Sequence, residues 1–245
     1  MTGPLAGKRA LVTGASGAIG SAIARRLARD GATVLLHGFS RPDAVQQLAA
    51  EIGDAGGSAG SWIFDLTDEA ASRQACEQLL LGGPVQIVVN NAGIHDDAVF
   101  PGMRAAQWHR VIDVSLNGFF NVTQPLLLPM LRTRWGRVIN ISSVAGLIGN
   151  RGQVNYAAAK GAINSATKAL SLEVASRGVT VNAIAPGIIA SPMADAAFDA
   201  ETIGRIVPVK RAGTADEVAA LAGFLAGPEA GYITGQVISV NGGMC

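Results

Sequence analysis

Seven short, apolar, β-branched runs alternate along the chain with longer stretches whose apolar residues return at helical spacing. The runs are Arg9–Thr13, Thr33–Leu36, Ser61–Phe64, Val85–Val89, Arg137–Ile141, Val179–Ile184 and Gln236–Val240. The helical stretches are Ile19–Asp30, Asp43–Ile52, Asp68–Leu81, Ala105–Leu131, Val154–Arg177 and Thr214–Ala226, with Pro125 and Pro129 bending or shortening the end of the fourth. Strands that read as unbroken apolar runs are buried on both faces, as in parallel sheets. Strict strand–helix alternation predicts a mostly parallel, doubly wound α/β sheet covered by helices on both faces. With 245 residues and no linker-like shift in composition, residues 1–245 read as one domain. The longest irregular stretch, 188–209, reads as a substrate lid.

The first strand runs into Thr13-Gly14-Ala15-Ser16-Gly17-Ala18-Ile19-Gly20, which opens the first helix. A glycine loop in that position suits a dinucleotide in a Rossmann-type sheet. Glycine permits the sharp turn and the close approach of a pyrophosphate, and the helix N-terminus offers unpaired N–H groups. An ordinary strand–helix turn is the alternative. An acid about 20 residues on would bind the 2′-hydroxyl of NAD. That region is His37-Gly38-Phe39-Ser40-Arg41. It lacks a carboxylate, and Ser40 and Arg41 could meet a 2′-phosphate, so NADP(H) is favoured over NAD. Otherwise Arg41 is a solvated loop residue.

Composition removes other classes. Hydrophobic residues make up 49% and charged residues 15%, which excludes disorder. A net charge of +1 gives no general basic excess for nucleic acid. No apolar run is long enough to span a membrane, and the first residues do not resemble a signal peptide. Cys76 and Cys245 stand far apart, with neither metal spacing nor a disulfide framework, which fits a reduced cytoplasmic setting.

Tyr156 and Lys160 lie four apart on a predicted helix, hence on one face. With two tyrosines and four lysines in the chain, chance gives such a pair about 0.03 times. A nearby ammonium favours the phenolate and lowers the tyrosine pKa, which suits proton exchange near neutral pH. An amphipathic helix with a surface lysine is the alternative. Ser142 and Ser143, however, end the fifth strand, and Asn90-Asn91-Ala92-Gly93 and Pro186-Gly187 end the fourth and sixth. In parallel α/β sheets ligands bind at the carboxyl ends of strands, so these residues converge on the edge that carries the glycine loop.

These motifs resemble those of the classical short-chain dehydrogenases/reductases over essentially the whole chain. The glycine loop, Asp65, Asn90-Asn91-Ala92-Gly93, Asn117, Ser143, Tyr156-Ala-Ala-Ala-Lys160 and Asn182-Ala-Ile-Ala-Pro186-Gly187 carry the likeness. The resemblance implies Tyr156 as general acid/base, Ser143 as the donor to the substrate carbonyl, and Lys160 on the nicotinamide ribose. It implies Asn117 as holder of a water in the proton relay. It implies a cofactor contact at Gly14, Ser16, Gly17, Ile19, Gly20, Ser40, Arg41, Asp65, Leu66, Asn91, Ala92, Gly93, Tyr156, Lys160, Pro186, Gly187, Ile189 and Ser191. Asp65 would meet the adenine amine. Two departures stand out: Ala18 replaces an expected glycine, and Gly17 stands where NADP-using relatives often carry arginine.

Within the family, Gly149–Tyr156, Ile206–Gly213 and Tyr232–Met244 most resemble the 3-oxoacyl-(acyl-carrier-protein) reductases. That implies NADPH-dependent reduction of a 3-oxoacyl thioester, an acyl carrier protein as partner, and a homotetramer or dimer. Arg134 and Arg177 match two carrier-docking positions, near the active-site mouth; helix-end capping is the other reading of Arg177. His95-Asp96-Asp97 departs from that group, which has a basic residue in the middle. Three adjacent residues rarely form a metal site, so a solvated loop is expected. A polyketide or aryl-polyene ketoreductase, a small alcohol or sugar dehydrogenase, and a non-catalytic dinucleotide sensor remain as alternatives.

Overall fold

The computed structural model describes residues 3–191 and 199–245. Seven parallel strands form one sheet in the order β3-β2-β1-β4-β5-β6-β7. In chain order the elements begin β1 (Arg9–Val12), α1 (Ala18–Arg29), β2 (Thr33–Gly38), α2 (Pro42–Asp54), β3 (Ser58–Ile63), α3 (Glu69–Leu81) and β4 (Ile87–Asn90). They continue α4 (Ala105–Ile112), a π-turn (Asp113–Asn117), α5 (Gly118–Arg132), β5 (Gly136–Ile141), α6 (Ala145–Ile148), α7 (Val154–Val174) and β6 (Val179–Pro186). The last are α8 (Ala200–Ile206), α9 (Ala215–Ala226) and β7 (Val237–Val240).

The two faces follow from strand periodicity. Ala10 and Val12 of β1 join Val34, Leu36, Ile87, Val89, Ile139 and Ile184 under α1, α2 and α9. Leu11 points the other way and joins Leu35, Val88, Val138 and Val181 under α3, α5 and α7. Fully buried Ile23, Leu27 and Leu225 seal the first face; Leu79, Leu126 and Met130 seal the second. Each such side chain contributes about 1.5–3 kcal/mol of burial.

The chain lays β2 and β3 on one side of β1, then crosses to β4 on the other. This reversal opens a crevice at the carboxyl ends of β1 and β4, where doubly wound sheets bind ligands.

Several expected boundaries moved. The edge strand β3 begins at Ser58 rather than Ser61, because glycine and serine there are paired by register with β2 and not by apolar content. The predicted Ala105–Leu131 helix is split by the π-turn, yet it runs through Pro125 and Pro129 to Arg132. The Val154–Arg177 helix tightens into a 3-10 turn at Ala175–Arg177 and stops at left-handed Gly178 (φ 75°). The stretch expected to be an irregular lid contains α8, capped by Asp199 accepting from the Thr202 N–H. Residues 192–198 of that stretch, Met193 among them, lie outside the described residues.

Candidate active site

The glycine loop is fixed from behind. Thr13 Oγ1 accepts from the N–H groups of Asn91 and Ala92, both at 3.0 Å. Asn91 Nδ2 donates back to the carbonyls of Thr13 (2.8 Å) and Gly14 (3.1 Å). Gly14 is left-handed (φ 63°), and a Cβ there would stand 2.9 Å from the Ala92 Cα. A Cβ on Gly20 would stand 2.4 Å from the Gly14 carbonyl oxygen. Gly17 meets nothing closer than 3.4 Å, and it caps α1 without a side-chain hydrogen bond. The first turn of α1 carries no acid. Uncapped N–H groups, a positive helix end and bare glycine faces fit a pyrophosphate. Ala18 is exposed, so its methyl leaves the loop undisturbed. Ser16 and Ile19 are half-buried in the same turn.

Ser40 and Arg41 are exposed beside the loop, and Arg41 Nη2 donates to the Ser16 carbonyl at 2.8 Å. This holds a guanidinium at the β2 end, where a carboxylate would otherwise select NAD. Half-buried Asp65 accepts from the Thr67 N–H (2.9 Å) and hydroxyl (2.8 Å) through Oδ1. Leu66 is buried, and its carbonyl accepts from Asn121 Nδ2 at 2.9 Å.

On the other side of the crevice, Lys160 comes from α7 and is 3% exposed. Its Nζ donates to the Ile141 carbonyl at 2.7 Å, at the end of β5. Burial pushes its pKa down to about 8. Tyr156 lies one turn earlier, with Nζ 5.6 Å from its ring centroid. Its phenol is pushed upward, first by burial; a hydrogen bond with the Ser143 side chain opposes this, and Asp97 adds to it. The direction reverses the expectation that Lys160 would lower it: the ammonium is turned to the β5 carbonyl, and desolvation dominates. Ser143 Oγ accepts from the Ala145 N–H at 3.1 Å, which orients the hydroxyl.

Gly93 joins this group. A Cβ on it would lie 3.1 Å from Lys160 Nζ and 3.5 Å from Ser115 Oγ. Ser115, on the π-turn, is 4% exposed, and its hydroxyl has no hydrogen-bond partner among the described residues. Asn117 does not join them. It is exposed, and its Nδ2 donates to Asp113 Oδ1 at 2.8 Å. Two residues of helical backbone turn Asn117 to the opposite side from Ser115. The π-turn therefore presents serine, not the expected asparagine, toward Lys160. The unusual geometry of that turn carries no signal in residue type.

Pro186 is buried at the end of β6, and Gly187 packs so tightly that a Cβ would lie 2.8 Å from the Asn241 Cα. Ile189 pairs with Gly213 across an isolated bridge, and Ser191 is half-buried at the edge of the described segment. These residues reach the same sheet edge.

His95 and Asp97 are exposed, as expected of a solvated loop, and the loop also braces the site. Asp96 accepts from Gln107 Nε2 (2.7 Å), and Asp97 from Gln153 Nε2 (2.9 Å), with His95 Nδ1 3.2 Å away. Fully buried Asn155 donates to the carbonyls of Asp96 (3.0 Å) and Gln107 (3.1 Å) and accepts from the Tyr156 N–H (2.8 Å). These contacts fix the first turn of α7 and so aim Tyr156. Gln107, Gln153 and Asn155 were not singled out by the sequence; amides carry no distinctive spacing. No cluster of metal-ligating side chains occurs among the described residues.

Arg134 and Arg177 are neighbours but lie elsewhere. A Cβ on Gly178 would stand 2.3 Å from the Arg134 carbonyl oxygen, so the two turns touch. They precede β5 and β6, at the amino ends of the strands, while the site occupies the carboxyl ends. The expectation that they flank the mouth is corrected: six residues of β5 separate them from Ser143, roughly 20 Å.

A doubly wound sheet with a phosphate-ready turn at its switch point and a Ser143–Tyr156–Lys160 group beside it defines a dinucleotide-dependent oxidoreductase site. Residues 8–202 match the family model described as short chain dehydrogenase. The chain belongs to the short-chain dehydrogenase/reductase family, whose members use nicotinamide dinucleotides on CH–OH groups and the corresponding carbonyls. It is 46% identical over 242 residues to Nodulation protein G of Rhizobium sp. (strain N33), covering 98% of each chain. It is 42% identical over 238 residues to the 3-oxoacyl-(acyl-carrier-protein) reductase of Aggregatibacter actinomycetemcomitans, covering 96% of this chain and 98% of that one. A crystal structure of a putative gluconate dehydrogenase from Agrobacterium tumefaciens superposes with a TM-score of 0.94 at 35% identity, covering 98% and 96%.

Proposed function

We propose that this protein reduces the 3-keto group of an acyl thioester, carried on an acyl carrier protein, with NADPH. The observation that carries the reaction type is the convergence of Ser143, at the end of β5, with Tyr156 and buried Lys160 of α7, whose Nζ lies 5.6 Å from the Tyr156 ring and donates to the Ile141 carbonyl. Burial keeps the Tyr156 phenol protonated near neutral pH, the form that gives a proton to a developing alkoxide. Ser143 donates to the same oxygen and fixes its position. Lys160 holds the ribose end of the cofactor, and Ser115 stands beside its ammonium in the relay place first expected of Asn117. Gly14, Ser16, Gly17, Ile19 and Gly20 receive the pyrophosphate; Asp65, Leu66, Asn91, Ala92 and Gly93 line the adenosine and ribose side. Tyr156, Pro186, Gly187, Ile189 and Ser191 border the nicotinamide. When bound, the dinucleotide supplies the hydride.

Arg41 across the loop, with no carboxylate at the β2 end, supports NADPH. Likeness to a 3-oxoacyl-(acyl-carrier-protein) reductase over nearly the full chain supports the thioester. The likeness to a putative gluconate dehydrogenase favours a second reading, oxidation of a sugar acid. One panel separates them: acetoacetyl-carrier protein, acetoacetyl-coenzyme A and free ketones with NADPH or NADH, and gluconate with NADP⁺ or NAD⁺. Faster turnover of the carrier thioester with NADPH is expected. Turnover of gluconate alone would overturn the thioester reading. Tyr156→Phe should lower kcat by at least about 100-fold while NADPH still binds.

A further inference from the structure

His37, the penultimate residue of β2, is 2% exposed and has both ring nitrogens engaged. The Gly14 N–H lies 3.2 Å from Nδ1. The Phe64 carbonyl oxygen lies 3.0 Å from Nε2. A backbone N–H only donates and a carbonyl only accepts. One form of the ring satisfies both: the neutral imidazole with its proton on Nε2. The His37 carbonyl also accepts from the Ala15 N–H at 2.8 Å. Residue 37 therefore grips two consecutive residues of the glycine loop, one through its backbone and one through its ring. The far side of the ring holds the residue before Asp65, and the ring lies tilted at 56° against that of Phe64 with centroids 4.3 Å apart.

We infer that His37 is a positioning residue for the dinucleotide, tying the phosphate-facing turn to the adenine-facing end of β3. This rests on the dinucleotide reading of the site. Asn91 holds the Gly14 carbonyl and His37 holds its N–H, so the left-handed Gly14 is pinned from both flanks. With the turn and Phe64 on one rigid ring, the spacing between pyrophosphate and adenine contacts is set before the ligand arrives. A preformed site avoids the cost of ordering the loop on binding. The neutral ring is secure at physiological pH, because burial lowers its pKa to about 4 against the opposing pull of Phe64 and Asp65. The charged side chains on the adjoining turns are Asp65 and Arg41, the latter turned onto Ser16. Arg9 sits at the far end of β1, and the first turn of α1 and the residues of β3 bring no charge.

Three variants separate the bonds. His37→Phe keeps an aromatic ring and removes both bonds. His37→Gln can still donate to Phe64. His37→Asn places an acceptor where Nδ1 stood, facing Gly14. NADPH and NADH dissociation constants are measured by nicotinamide fluorescence, with hydrogen exchange of the peptide spanning residues 11–17 in cofactor-free protein. The expected result is about a tenfold weaker NADPH complex and faster exchange for His37→Phe and His37→Gln. His37→Asn should stay within about threefold of the unaltered protein. In steady state the loss should fall on KM for NADPH and not on KM for the ketone. His37→Phe binding NADPH as tightly as the unaltered protein would overturn the inference, whatever its exchange rate. So would His37→Asn being as weak as His37→Phe, which would mean that ring packing and not the Gly14 bond matters. Failure of the unaltered chain to bind either dinucleotide would overturn the dinucleotide reading and this inference with it, and is seen before any variant is made.

Discussion

A single pair of side chains illustrates how much one turn of backbone decides. Ser115 and Asn117 both lie on the π-turn, yet only Ser115 is buried beside Lys160 and Gly93. Ser115→Ala should therefore reduce kcat by about tenfold at saturating substrates and change its solvent isotope effect. Asn117→Ala should leave kcat within about twofold and cost about 0.5–1.5 kcal/mol through the lost Asp113 bond, read by denaturant unfolding. The reverse pattern would restore Asn117 to the relay. Lys160 adds a pH limit. Burial holds its pKa at about 8, so the ammonium is intact below that value and lost above it. If the charge holds the cofactor ribose, NADPH affinity should fall between about pH 7 and 9. A Lys160→Met variant should bind weakly at both, without that slope.

Helices and loops set the tolerance of the site. Gly20→Ala would drive a methyl against the Gly14 carbonyl and Asn91, whose positions are already fixed by hydrogen bonds. It should abolish tight NADPH binding and lower Tm by several degrees. Gly17→Ala meets only ordinary contact in the free protein and should leave Tm within about 2 °C. These two glycines look alike in sequence and differ only in what stands behind them. The same holds for the elements at large. Strands buried along their whole length and rich in apolar β-branched residues, such as β4, β5 and β6, were legible because both faces of the sheet are covered. The start of β3 was not, since Ser58 and Gly60 are held by pairing to Thr33 and Leu35. The π-turn and α8 were hidden because their backbones are chosen by tertiary context and capping, not by periodicity. The Ser143–Tyr156–Lys160 group was legible as residues. The upward shift at Tyr156 was not, because burial is a property of the assembled fold.

Across the whole molecule, the near-zero charge conceals where the charges sit. Arg134 and Arg177 share the sheet edge opposite the site, and nearby Trp135 has Lys8 Nζ 4.3 Å and Arg137 Cζ 4.4 Å from its ring centroid. That edge is basic through packing, and its position gives it no role in steering a substrate into the same chain's crevice. Global stability carries a signature of His37. Its folded pKa of about 4 lies below the ordinary 6.5, so the unfolded chain binds more protons between those values. Stability should fall as pH drops through that window, by up to about 1.4 kcal/mol per pH unit, and level off below about 4. Chemical denaturation at pH 7 and 5 should show the loss for the unaltered protein and a smaller one for His37→Phe.

The reversal of strand order between β3 and β4 bears also on how the chain is made. β1 cannot pair with β4 until about 75 intervening residues have been laid down, and such distant parallel pairings close slowly. The crevice lies on that seam, with Asn91 and Thr13 as its clasp. A nucleotide can be grasped only after the middle of the sheet has zipped shut. The cofactor would then act as a latch on finished molecules, adding about 2.7 kcal/mol at a hundred times its dissociation constant and withdrawing folded chains from the unfolding equilibrium.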